Sequence, residues 1–150
     1  MVDLLKWYAL AMILGWLNLP LTRRLFKALP SRGFALSRPI GLLLWGYSFW
    51  LLTSLKLLNN DLAGQLTALL LLAVLNLALL GRGGIKELAD WVRRNRKLIL
   101  CVEGLFLFAF ALWAFVRAAN PAILGTEKPM EMAFINAILR SPSFPPNDPW

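Results

Sequence analysis

The stretch from Leu62 to Val116 reads LAGQLTALLLLAVLNLALL, then GRGGIKELADWVRRNRK, then LILCVEGLFLFAFALWAFV. Two apolar blocks, each as long as a membrane crossing, enclose a basic connector. Blocks of this length mark membrane helices rather than the core of a soluble domain. Two further blocks precede them, from about Leu4 to Leu21 and from Pro39 to Leu55. At 1.5 Å per residue each block is roughly 26–29 Å long, enough for a hydrocarbon core of about 30 Å. The sequence thus predicts an all-α, polytopic transmembrane protein with four membrane spans. An amphipathic extracytoplasmic loop helix follows the fourth span.

Composition agrees. The chain is 59% hydrophobic and 16% charged, where a soluble domain carries about a quarter charged residues. The net charge of +8 does not point to nucleic acid, because the basic residues flank the apolar blocks. There they set orientation and meet anionic headgroups, so the expected partner is the lipid bilayer. The single cysteine, Cys101, lies inside an apolar block and permits no internal disulfide. With no histidine in the chain, zinc and haem sites are not expected.

The first span is the weakest of the four, containing Lys6, Asn18 and Pro20. A signal peptide is its rival reading, but that needs positive charge before the apolar run. Here Arg23, Arg24 and Lys27 follow it. The loop after span one also holds Arg32 and Arg38, and the loop after span three holds Arg82, Lys86, Arg93, Arg94, Arg96 and Lys97. Together they carry eleven of the sixteen basic residues. Short loops rich in Lys and Arg stay cytoplasmic. The N-terminus and the tail after Arg117 are then extracytoplasmic, in a multi-pass protein of the cell membrane. Two regions follow: 1–97, with three spans and a cytoplasmic amphipathic segment, and 98–150, with the fourth span and the start of an outer loop.

In the second basic loop Ile85, Leu88, Ala89 and Val92 recur at helical spacing, with Trp91 as an aromatic anchor. This predicts a short amphipathic helix on the inner headgroups. Glu103 lies inside the fourth span, where facing lipid would cost on the order of 2–3 kcal/mol. It must therefore face protein, be protonated or reach Arg96, and a packing contact to further helices is the preferred reading.

The tail reads TEKPMEMAFINAILRSPSFPPNDPW from Thr126 to Trp150. Thr126 suits the cap of a helix from Glu127 to Arg140, with Pro129 tolerated in the first turn. Met130, Ala133, Phe134, Ala137 and Ile138 form its apolar stripe. Pro142 ends the helix, and the later prolines make a stiff extended strap. Glu127 at the helix start is favoured by the helix dipole. The chain stops at Trp150 with no terminating element, so it reads as the front of something longer.

Several of these runs carry a resemblance. Glu127-Lys128-Pro129-Met130, Ala133-Phe134, Asn136 to Ser141, and Pro145 to Trp150 resemble the YYY-domain membrane proteins, a family of large polytopic proteins. Val102-Glu103, Phe106, Phe110, Arg117 and Pro121 are similar to it too. The tyrosine run that names the family is absent here.

A wider resemblance is to GT-C glycosyltransferases, whose first outer loop starts with an acidic residue, an amphipathic helix, then Leu-x-Ser, an aromatic and a proline. Here Glu127, the helix, Leu139-Arg140-Ser141, Phe144 and Pro145 follow that order. The resemblance implies sugar transfer from a polyprenyl-phosphate donor at the outer face, with Glu127 as the catalytic carboxylate. Lys128 in place of a second acidic residue departs from the pattern and leaves Glu127 as either a base or a cap. Asp148 is the second catalytic candidate, open to binding a metal or an acceptor; an Asx-type turn with Asn147 is the preferred reading. Lys128 is the candidate for contact with a lipid phosphate, such as that of the donor, with a solvated surface lysine as the preferred reading. No cofactor is named by the residues, and a divalent metal in a full-length protein is the one left open. The alternative function is a non-catalytic membrane scaffold or envelope-assembly subunit, and a transporter comes third because only Glu103 offers an ionisable midplane group.

Overall fold

The computed structural model describes residues 2–120, 122 and 127–149. Among them are six α-helices and no strand. They are α1 (Val2–Leu25), α2 (Ser37–Ser54), α3 (Leu62–Leu80), α4 (Gly84–Arg94), α5 (Arg96–Ala119) and α6 (Lys128–Arg140). Three are long and apolar enough to cross a membrane: Asp3–Leu25, Leu62–Leu80 and Arg96–Ala119. The second expected span, α2, forms a helix of eighteen residues but is not among those three. The physical reason lies at its ends, where Ser37, Arg38, Thr53 and Ser54 dilute the apolar run.

Helices α1, α2 and α3 pack as an up-down-up bundle. The beginning of α2 lies on the second half of α1, while the Trp45 indole of α2 donates to the Gln65 carbonyl at the start of α3 at 2.9 Å. Close approach of α1 and α2 depends on glycine. A Cβ on Gly41 would meet Asn18 Nδ2 at 2.7 Å and the Leu14 carbonyl at 2.8 Å. One on Gly15 would meet Arg38 Cγ at 2.7 Å. Small residues at such crossings let helix backbones touch.

Pro20 sits inside α1, and a proline there disturbs the local hydrogen-bond ladder. The structure supplies a partner from α3: Asn76 Oδ1 accepts from the Leu21 amide at 3.2 Å, and Asn76 Nδ2 donates to Asn18 Oδ1 at 3.2 Å. Both asparagines are fully buried. Asp61 caps α3 by accepting from the Gly64 amide at 2.7 Å.

The expected amphipathic helix exists as α4, but its aromatic residue is no headgroup anchor. Trp91 is buried with Leu19, Phe34 and Ile99, and Leu88 and Val92 pack against that cluster. Phe34 mediates, with ring centroids 5.4 Å from Trp16 and 6.2 Å from Trp91. Burying an indole against three apolar side chains removes more surface from water than an interfacial position would. Ile85, by contrast, is 70% exposed, so the stripe divides between bundle and surroundings.

Candidate functional site

Two polar assemblies stand out. The first lies at the end of the bundle where α2 finishes and α3 begins. Asn60, in the turn between them, donates from Nδ2 to the carbonyls of Ile138 at 2.6 Å and Ser141 at 2.7 Å. Its amide donates to the Pro142 carbonyl at 2.8 Å. Asn60 is thus a C-terminal cap for α6 supplied from another part of the chain, and satisfies carbonyls that a helix end leaves open. Lys56 donates to Ser143 Oγ at 2.6 Å and to the Phe144 carbonyl at 3.2 Å. Phe144 is buried and meets Phe49 edge to face, ring centroids 5.9 Å apart. The strap is therefore tied down by three side chains of the α2–α3 hairpin.

Between α6 and the strap runs an open cleft of about 520 Å³, lined in part by Asn136, Arg140, Asn147 and Asp148. Ala133 and Ala137 form its small-residue floor. Two amides, a guanidinium and a carboxylate converge there, a set that both donates and accepts hydrogen bonds.

The structure does not bring the candidate residues together. Asp148 lines the cleft; Glu127 is the residue before α6, at the other end of a thirteen-residue helix. That helix is about 20 Å long at 1.5 Å per residue. Glu127 is exposed and makes no side-chain cap bond. The expected start of the helix is therefore reproduced to within one residue, while Thr126 lies outside the described residues. Lys128 is exposed and donates to the Ala122 carbonyl at 3.4 Å. The apolar stripe of α6 is not buried on the bundle: Met130 is 40% and Phe134 41% exposed. Among the described residues, no three carboxylate or thiol groups gather where they could hold a metal ion.

The second assembly is the ion pair of Arg38 with Glu103, whose side chains are 7% and 17% exposed. Glu103 thus faces protein, as one of the expected placements had it, with Arg38 rather than Arg96 as its cation. Arg38 also lies 4.2 Å from the ring centroid of Phe106 and touches Met12 Sδ at 3.1 Å. Two atoms of the pair, Arg38 Nε and Glu103 Oε1, are buried with no hydrogen-bond partner among the described residues. Sequence reading missed this partner. The one available signal was that Arg38 sits at the very start of an apolar block, a position that Lys97 shares.

Long apolar helices, a buried polar seam and an ion pair inside them define a multi-pass membrane protein. Residues 44–150 match the model of a family described as uncharacterized membrane protein (DUF2298), and the chain belongs to that family. Comparison with curated proteins and with solved structures returns no match.

Proposed function

We propose that the chain is the N-terminal part of a GT-C-like membrane glycosyltransferase, moving a sugar from a polyprenyl-phosphate donor at the outer face. The observation that carries this reading is the cleft between α6 and the strap, with Asn136, Arg140, Asn147 and Asp148 on its walls. Its volume falls within the range of about 300–1,000 Å³ usual for small-molecule sites, and its donors and acceptors suit sugar hydroxyls. The order of Glu127, helix, Leu139-Arg140-Ser141, Phe144 and Pro145 supports it independently.

In this reading α2 is the fourth span. Its start lies on the second half of α1 and its later residues lie beside the start of α3, which supports its crossing the membrane with them. The two basic loops are cytoplasmic, and the N-terminus and α6 are extracytoplasmic. Glu127 accepts the acceptor's proton as the acceptor oxygen bonds to the anomeric carbon. The sugar–phosphate C–O bond breaks, and the phosphate keeps the electron pair. Lys128, beside Glu127, meets donor phosphate, and Asp148 with Arg140, about 20 Å away at the far end of α6, holds a remote part of an extended acceptor.

The test is turnover of a polyprenyl-linked sugar by membranes carrying the whole protein. Glu127→Gln keeps shape but loses proton acceptance, so turnover falls about 10²–10⁴-fold, while Glu131→Gln changes little. Full turnover in Glu127→Gln removes it as the base and passes that role to Asp148. The second reading, a membrane scaffold, draws on α5, in which Ile99 is the one buried residue and the rest offers surface to other helices. Absence of turnover with any polyprenyl-linked sugar, together with stable co-purification of a membrane partner, would favour it.

A further inference from the structure

At the end of the bundle where α1 and α3 finish, two adjoining clefts of about 150 Å³ and 470 Å³ share Arg23 and Arg32 as walls. Arg24 and Lys27 line the first and Arg94 the second, so five cations face one carboxylate, Glu87. Like charges brought this close repel one another unless an anion joins them. The grouping is built rather than incidental. Arg23 lies 5.1 Å from the ring centroid of the buried Trp91. Its Nε is buried and has no acceptor among the described residues. Arg32 is held in left-handed backbone at φ 45°, its amide donating to the Leu29 carbonyl at 2.8 Å. Such a conformation is uncommon outside glycine and marks a position fixed by its surroundings.

We infer that this pair of clefts binds the phosphate of an anionic lipid headgroup. Phosphate oxygens would accept from the guanidinium groups of Arg23, Arg32 and Arg94, which suit phosphate geometry. The lipid source, rather than a soluble phosphate, follows from the surroundings. The clefts lie at helix ends, where headgroups sit, and Leu79 and Leu80 line the smaller one. A ligand with acyl chains joined to its phosphate is matched on both counts. Basic pockets between helix ends are a known way to hold such headgroups.

The experiment is native mass spectrometry of the full chain in detergent, titrated with dioleoyl phosphatidic acid, with phosphatidylcholine of the same chains, and with sodium pyrophosphate. Phosphatidic acid should bind and phosphatidylcholine should not. Arg32→Asn with Arg94→Gln should weaken binding about thirtyfold, as expected for two charges lost at a headgroup site. Asn accepts the left-handed backbone at 32, and circular dichroism checks that helix content is kept. If that double variant unfolds, Arg94→Gln alone at its exposed position carries the test. Arg82→Gln with Lys97→Gln removes the same net charge from outside the clefts and should change binding by less than about threefold. Displacement of the lipid by pyrophosphate would place both in the same clefts and support the proposal. Equal loss in both double variants, no discrimination against phosphatidylcholine, or binding of pyrophosphate without binding of the lipid would each overturn it.

Discussion

Arg38 and Glu103 show how a charge is kept inside an apolar helix. A carboxylate within α5 would be costly against lipid, and Arg38 on α2 meets it from 65 positions away in sequence. The guanidinium also lies over the Phe106 ring, where a cation is attracted to the aromatic face. Removing one partner strands the other, whereas replacing both by apolar residues removes the problem altogether. Glu103→Leu should therefore lower stability in detergent by about 3–5 kcal/mol, and adding Arg38→Met should recover most of it. Unfolding of the two variants in mixed micelles checks this; a Glu103→Leu protein as stable as the parent would mean that the pair contributes nothing. Asn76 is the second such residue. It accepts from the Leu21 amide beside Pro20 and donates to Asn18. Asn76→Ala leaves both groups buried without that partner and should cost about 1–3 kcal/mol in the same assay. A neutral result would show that α1 closes its own ladder around the proline.

At the scale of elements, α6 depends on a distant turn for its C-terminal end. Asn60 meets the carbonyls of Ile138 and Ser141, so Asn60→Ala should loosen the junction of helix and strap. Loss of bonds worth about 1–2 kcal/mol corresponds to roughly 5–30-fold faster tryptic cleavage after Arg140. Asn59→Ala, next to it and exposed, serves as the control; an unchanged rate in Asn60→Ala contradicts the tie. The bounds of α6 were legible in the sequence because an apolar stripe and Pro142 are local signals. Its attachment was not, since Asn60 and Lys56 look like ordinary polar turn residues until the hairpin is folded. The same holds for α4. Its helical period was readable, but whether Trp91 met lipid or Phe34 depended on where the α1–α2 loop would place Phe34. For the candidate site, the sequence singled out Glu127, Lys128 and Asp148, yet it could not foresee the cleft. The convergence of Asn136, Arg140 and Asp148 requires the strap to fold back along α6.

For the whole molecule, apolar length carried the all-helical fold, and loop charge carried the proposed orientation. Hydropathy treats α2 unlike the other long helices because it averages Arg38, Ser37 and Thr53 into the run. All three are buried in the folded chain, which an average along one segment cannot register. In the proposed function α2 crosses the membrane between α1 and α3, which puts the loop before it and the turn after it on opposite faces. Single cysteines at positions 27 and 59, before and after α2, test this in a Cys101→Ala background. Both positions are exposed. With a membrane-impermeant maleimide on intact cells, Asn59→Cys should react at once, and Lys27→Cys only after permeabilisation. Labelling of both from the same side would contradict the crossing of α2, and with it the outer position of the cleft.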